Sequence, residues 1–143
     1  MKKVSVIVLL ALLASIFLPA QVMAVGEPQL TVNPTSIDFG TLIPGQTSSV
    51  YNITVTNVGT HEVDVSVELD ISSADLFKNN LEMRYDSSGG FSTGSGDPVS
   101  WGTLIPGLDM YTSDYVQTQL PVPSGYTPDN VETGQLTFTA TGT

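Results

Sequence analysis

The nine residues from Val63 to Ile71 alternate without a break: Val63, Val65, Val67, Leu69 and Ile71 are apolar, and Asp64, Ser66, Glu68 and Asp70 between them are polar. Successive side chains of a strand leave opposite faces, so this order buries one row and wets the other. A helix would scatter the same valines around its axis. A half-buried strand belongs to a sheet, and the apolar face of that sheet needs a second layer to cover it.

Other segments repeat the pattern. Tyr51, Ile53 and Val55 point inward with Asn52, Thr54 and Thr56 outward, and Asn57 to Thr60 supplies hairpin turn residues before the Val63 strand. Leu30 with Val32, and Ile37 with Phe39, read as short strands separated by Asn33 and Pro34, the proline marking an edge or a bend. Leu81, Met83 and Tyr85 alternate, Tyr115 with Gln117 less cleanly, and Leu136, Phe138 and Ala140 close the chain. The stretch from Ser73 to Asn80 predicts one short helix, capped by Ser72 or Ser73 and carrying Leu76 and Phe77. Seven or eight short strands with frequent turn signals predict an all-β fold, an antiparallel β-sandwich of immunoglobulin-like or jelly-roll type. The valine rows, Phe39, Trp101 and Phe138 are its expected core. Residues 86–98, rich in glycine and serine without periodicity, read as a mobile loop within this one domain.

One hexapeptide occurs twice. Gly40 to Gly45 and Gly102 to Gly107 are both Gly-Thr-Leu-Ile-Pro-Gly, each behind an aromatic residue, Phe39 or Trp101. Pro-Gly favours a turn, so both copies are expected to form equivalent corners, with Leu and Ile bridging the sandwich edge.

The run from Leu30 to Gly45 together with Ile53 to Thr60 resembles the first half of immunoglobulin-like modules of the ASH and major-sperm-protein type. The same core, with Pro44-Gly45, Asn57 and Gly59, the Leu120 to Pro123 segment and the closing Gly134 to Thr141, is similar to secreted fibre proteins of the TasA and camelysin type. The second resemblance covers more of the chain and implies a subunit that assembles outside the cell.

Residues 1–24 have the layout of a secretory signal: Lys2 and Lys3, an apolar run from Val4 to Leu18, then Pro19 and small residues up to Ala24. The run is short for a bilayer span, so cleavage after Ala24 is expected, leaving residues 25–143 as the exported domain with no membrane insertion. Lys2 and Lys3 leave with the signal and no acid does. Two basic residues then face 14 acidic ones, a net charge of −12. Such a surface suits neither nucleic acid nor anionic lipid.

Composition also narrows the chemistry. With no cysteine there are no disulfides, thiolate metal sites or lipidated cysteine, and one histidine leaves no two-histidine metal site. His61 has Glu62 and Asp64 beside it, but no Gly-x-Ser-x-Gly elbow supplies a nucleophile. Asp64, Glu68 and Asp70 line one outward strand face instead of opposing each other across a cleft, so they read as solvating charge and no catalytic residue is expected. No cofactor is expected either. Calcium is the metal best matched to these oxygen donors, with Asp86 and Asp97 flanking the glycine-rich loop, yet the alternating Asp order of a calcium loop is absent. Asn52-Ile53-Thr54 is the one acceptor sequence for N-glycosylation, since proline blocks Asn33.

These readings predict a secreted, non-enzymatic structural protein of the cell surface or extracellular matrix. Self-association, or association with other surface proteins, would hold it there. The assembly candidates are Leu30 and Val32 near one end of the domain and Leu136 and Phe138 at the other, because a terminal strand can add to a neighbour's open sheet. The alternative is a binding module that recognises a sugar or a partner protein through the region from Asp86 to Trp101.

Overall fold

The structure, a computed structural model, describes residues 29–127 and 131–143; the expected signal segment and its cleavage site lie outside the described residues. Eight strands and one helix occur in the order β1 (Leu30–Asn33), β2 (Tyr51–Asn57), β3 (Val63–Leu69), α1 (Asp75–Asn80), β4 (Glu82–Tyr85), β5 (Ser92–Thr93), β6 (Val99–Leu108), β7 (Ser113–Gln119) and β8 (Leu136–Gly142). They form two antiparallel sheets packed as a β-sandwich, one of order β1-β2-β7-β4-β5 and one of order β6-β3-β8.

The alternation in β3 is realised in full: Val63, Val65, Val67 and Leu69 have no more than 1% of their surface exposed. The three valines meet Ile53, Val55, Met83, Val116, Ile105 and Leu108 from both layers, while Leu69 packs with Leu76, Leu81, Leu120 and Val122. Each buried aliphatic side chain of this size contributes about 1.5–3 kcal/mol. The strand stops earlier than its pattern suggests. Asp70 accepts hydrogen bonds from the backbone and hydroxyl of Ser72, which turns the chain and leaves Ile71 63% exposed.

Several expectations change. The Asn57 to Thr60 segment does not close a hairpin, because β2 and β3 lie in different sheets. Asn57 is fully buried; its Nδ2 donates to the carbonyls of His61 (2.7 Å) and Leu108 (3.0 Å), and its Oδ1 accepts from the Gly59 amide (2.9 Å). One amide thus ties the arch between sheets at three points. Ile37 and Phe39 belong to no strand, although both pack half-buried against the core. In β7 the inward residues are Val116 and Thr118, not Tyr115 and Gln117. Thr118 hides its hydroxyl by donating to the Glu82 carbonyl (3.0 Å), which is how a polar residue takes a core position. The helix forms as expected, but Ala74 is its N-cap residue and gives no side-chain bond. The Ser73 hydroxyl accepts instead from the Gln135 amide, pinning the helix to the approach of β8. Phe39, Trp101 and Phe138 border the core as half-buried rings, so the centre is aliphatic.

The two hexapeptides also diverge. The second copy runs inside β6, where it pairs with β3 through register shifts on either side of Val65, and Ile105 is 1% exposed. The first copy is irregular chain ending in a turn, with the Gln46 amide donating to the Ile43 carbonyl, and Ile43 is 59% exposed. Both copies keep left-handed glycines at their ends, with φ of 73° and 87° at Gly40 and Gly45 and 64° and 61° at Gly102 and Gly107. Glycine adopts that conformation without the Cβ clash other residues meet. In β6 it accompanies the bulged register; in the first copy it accompanies a turn.

Candidate assembly groove

Among the described residues, β1 is hydrogen-bonded to β2 alone and β8 to β3 alone, so each is the edge of its sheet. The two edges lie on the same side of the sandwich and border one groove of about 800 Å³. Leu30 and Val32 reach it from β1, Leu136 and Phe138 from β8, and Ile53 from the floor. All four assembly candidates from the sequence therefore meet in one place. The period-two order that puts every second residue of β1 and β8 on the inner face is the reason they do.

The far wall is the chain from Ser36 to Leu42, which crosses the opening without ladder pairing. It is held by its side chains. Phe39 meets Tyr51 edge to face, with ring centres 5.4 Å apart, and leans on Phe77 at 6.1 Å. The Tyr51 hydroxyl donates to the Asp38 carbonyl (3.0 Å), and the Asp38 carboxylate accepts from the Gly40 amide (2.8 Å). At the lower end, the Tyr126 hydroxyl donates to Glu132 (2.5 Å). Gly134 lies so close to Phe77 that a Cβ there would sit 3.0 Å from the ring. The lining is mainly aliphatic and aromatic, with open backbone edges beside it. That combination can take up an extended segment, backbone to edge and alternate side chains into the groove.

The remaining candidates stand apart from it. Asp86 takes a left-handed conformation (φ 43°), and its carboxylate accepts from Ser88; bonds to the Ser88 side chain and backbone hold its pKa below the usual range. Asp97 is exposed. Among the described residues, no three acidic or histidine side chains gather where a metal ion would need them. His61 is exposed beside the Thr60 hydroxyl (3.0 Å). Asp64 accepts from the Gly107 amide (2.9 Å), and Glu62 from the Thr143 hydroxyl (3.2 Å), so both neighbouring carboxylates serve the packing of β3 against its partners. Asn52 is exposed on the outer face of β2, where its Oδ1 accepts from Gln117 (2.9 Å).

The glycine-rich segment expected to be mobile is anchored. Ser92 and Thr93 pair with β4, the Trp101 indole donates to the Ser92 carbonyl (2.9 Å), and Arg84 donates to the Gly89 carbonyl (3.1 Å). A Cβ at Gly94 would sit 2.5 Å from Val99 and 3.1 Å from Trp101, so the chain closes tightly over the indole. Sequence reasoning missed one polar pair. The Tyr85 hydroxyl donates to Asp114 (2.5 Å), and this bond, more than burial, pushes the phenol up to about 12. The partners are 29 residues apart and on different strands, so nothing local announces them.

No family model matches the chain, and neither the curated proteins nor the solved structures give a match.

Proposed function

We propose that this is a secreted, non-catalytic structural protein of the cell surface or matrix, a filament subunit whose molecules join by β-strand addition. The observation that carries this reading is the groove between β1 and β8, two sheet edges facing one apolar opening. A strand entering beside β8 would extend the three-stranded sheet and cover Leu136, Phe138 and the floor at Ile53. Each fully buried aliphatic side chain of the donor would add about 1.5–3 kcal/mol, with main-chain bonds supplying the register. The resemblance to TasA and camelysin fibre subunits points the same way.

The donor in this reading is the segment from Val25 to Asn33. Its β1 part is a four-residue strand, short enough to be exchanged between copies. If the segment of one copy enters the next copy's groove and its own groove takes the segment of a third, the contact is heterologous, and heterologous contacts that do not close generate filaments.

Negative-stain microscopy and sedimentation of the protein beginning at Val25 test this. Filaments or ladders of oligomers are expected, and a variant lacking residues 25–33 should be a folded monomer. A full-length exported domain that stays monomeric at high concentration, across salt and calcium levels, ends the proposal.

A further inference from the structure

The chain is strongly acidic, with a net charge of −10, yet one face of it is electrically balanced. On the outer side of the five-stranded sheet, Glu82 and Arg84 are the charged residues that the strands present; the others there are Thr, Ser, Asn, Gln and Tyr. The outer side of β3 shows what an ordinary solvated face looks like in this protein, with Asp64 and Glu68 upon it.

The balanced face is also preorganised. Asn52, Gln117 and Arg84 occupy one row across β2, β7 and β4. Gln117 donates to Asn52 Oδ1 (2.9 Å) and accepts from Arg84 Nε (2.8 Å), while Arg84 also donates to the Gly89 carbonyl and lies 4.3 Å from the centre of the Phe91 ring. Four interactions fix three side chains that would otherwise rotate freely in water. Tyr115 stands two residues from Gln117 on the same face of β7 and Phe91 beyond β4, so an aromatic ring lies on two sides of the row. The Asn52 NH₂ group has no partner among the described residues and faces solvent.

We infer that the Asn52, Gln117 and Arg84 row, with Tyr115 and Phe91, binds a neutral polysaccharide. Amides and a guanidinium offer donors and acceptors in a fixed order, which suits hydroxyl groups that are themselves both. Ring faces meet the weakly positive C–H groups of a sugar ring. A balanced face repels neither, whereas a polyanion would meet the acidic surplus around it. Three strands at about 4.8 Å spacing give a row about 10 Å long, the length of about two linked hexose rings. The row is on the outside of the sheet and the groove opens between the two sheets, so both contacts can form in one molecule.

The test uses the exported domain made in a host without N-glycosylation, since a glycan on Asn52 would cover the row. The probes are insoluble cellulose and chitin, and soluble mannan and β-glucan read by affinity electrophoresis. Retention on at least one probe is expected, weakened at least about tenfold (about 1.4 kcal/mol) by Gln117→Ala and by Arg84→Ala. Lys78→Ala, on α1, should bind as the parent does. Trp101 emission checks that each variant is folded. Asn52→Ala, at an exposed position, gives a loss of binding that no folding defect explains. Failure of all four probes, or binding that survives Asn52→Ala and Gln117→Ala, overturns the inference, and filament formation in the same samples is read separately.

Discussion

Asn57 shows how one polar side chain can hold two sheets in place. It is fully buried, and its amide makes three hydrogen bonds, two within the arch and one to the end of β6. Asn57→Ala leaves two carbonyls and one N–H without their partner, and a buried unsatisfied group costs about 1–3 kcal/mol. The expected loss, after partial hydration, is about 2–4 kcal/mol, read as a lower urea midpoint. An unchanged midpoint would mean that water takes over all three bonds. Tyr85 makes a second prediction. Its hydroxyl donates to Asp114, and its pKa rises from 10.0 to about 12 in the fold. Between those values the unfolded chain loses the proton while the folded protein keeps it. The stabilisation is therefore complete below pH 10 and falls as pH rises toward 12. Tyr85→Phe should be less stable at neutral pH and lose less on going from pH 9 to about 11 than the parent. Equal slopes for the two proteins would remove the bond from the account. The valines of β3 are legible in the sequence because each sits between polar neighbours. Asn57 and Thr118 are not, since burying a polar group depends on partners that the fold brings from distant positions.

At the scale of elements, the repeated hexapeptide separates local preference from context. Both copies keep the left-handed glycines that the sequence leads one to expect at a turn. Their surroundings differ. The second copy lies antiparallel to β3, where Ile105 stands opposite Val65 and is sealed by the second sheet. The first copy has Val122 as its backbone partner at Gly45, and its Ile43 amide is bonded by the Gln46 side chain, so Ile43 points to solvent. Ile105→Ala should cost about 2–5 kcal/mol, within the range for large-to-small core substitutions. Ile43→Ala should stay within about 0.5 kcal/mol. Thermal unfolding of the two single variants decides this, and similar losses would mean that the corners are equivalent after all. The same contrast explains which elements the sequence reveals. Strands with long alternation, β2, β3 and β8, are legible, because period two is a property of the segment itself. The partition of β2 and β3 into different sheets is not, because a tight Asn-x-Gly segment serves an arch as well as a hairpin. In β7 the inward row lies one residue away from the expected one, as Tyr115 and Gln117 are large enough to suggest burial while Thr118 is polar.

For the whole molecule, the count of strands and the sandwich are within reach of the sequence, and so are the residues at the open edges. That Leu30, Val32, Leu136 and Phe138 border the same groove is not, because it depends on β1 and β8 being edges of different sheets on one side. If copies join through that groove as proposed, acidic molecules (−10 over the full sequence) would be brought together, with repulsion opposing an attraction that is apolar and hydrogen-bonded. Salt acts on the first far more than on the second. The screening length is about 30 Å at 0.01 M ionic strength and about 3 Å at 1 M, from roughly the width of a small domain to less than a side chain. Assembly by strand addition should therefore be slow or absent at low salt and rise steeply with sodium chloride. Magnesium or calcium should match sodium at equal ionic strength unless an acidic site binds them. Phe138→Asp adds a charge inside the groove, which screening cannot relieve once water is excluded. That variant should remain monomeric at every salt concentration while its Trp101 emission stays native. Light scattering across a salt series, run on the parent and on Phe138→Asp, separates the possibilities. Assembly that weakens with salt would assign the contact to charged groups instead of the groove, and equal assembly by both proteins would place it on another surface.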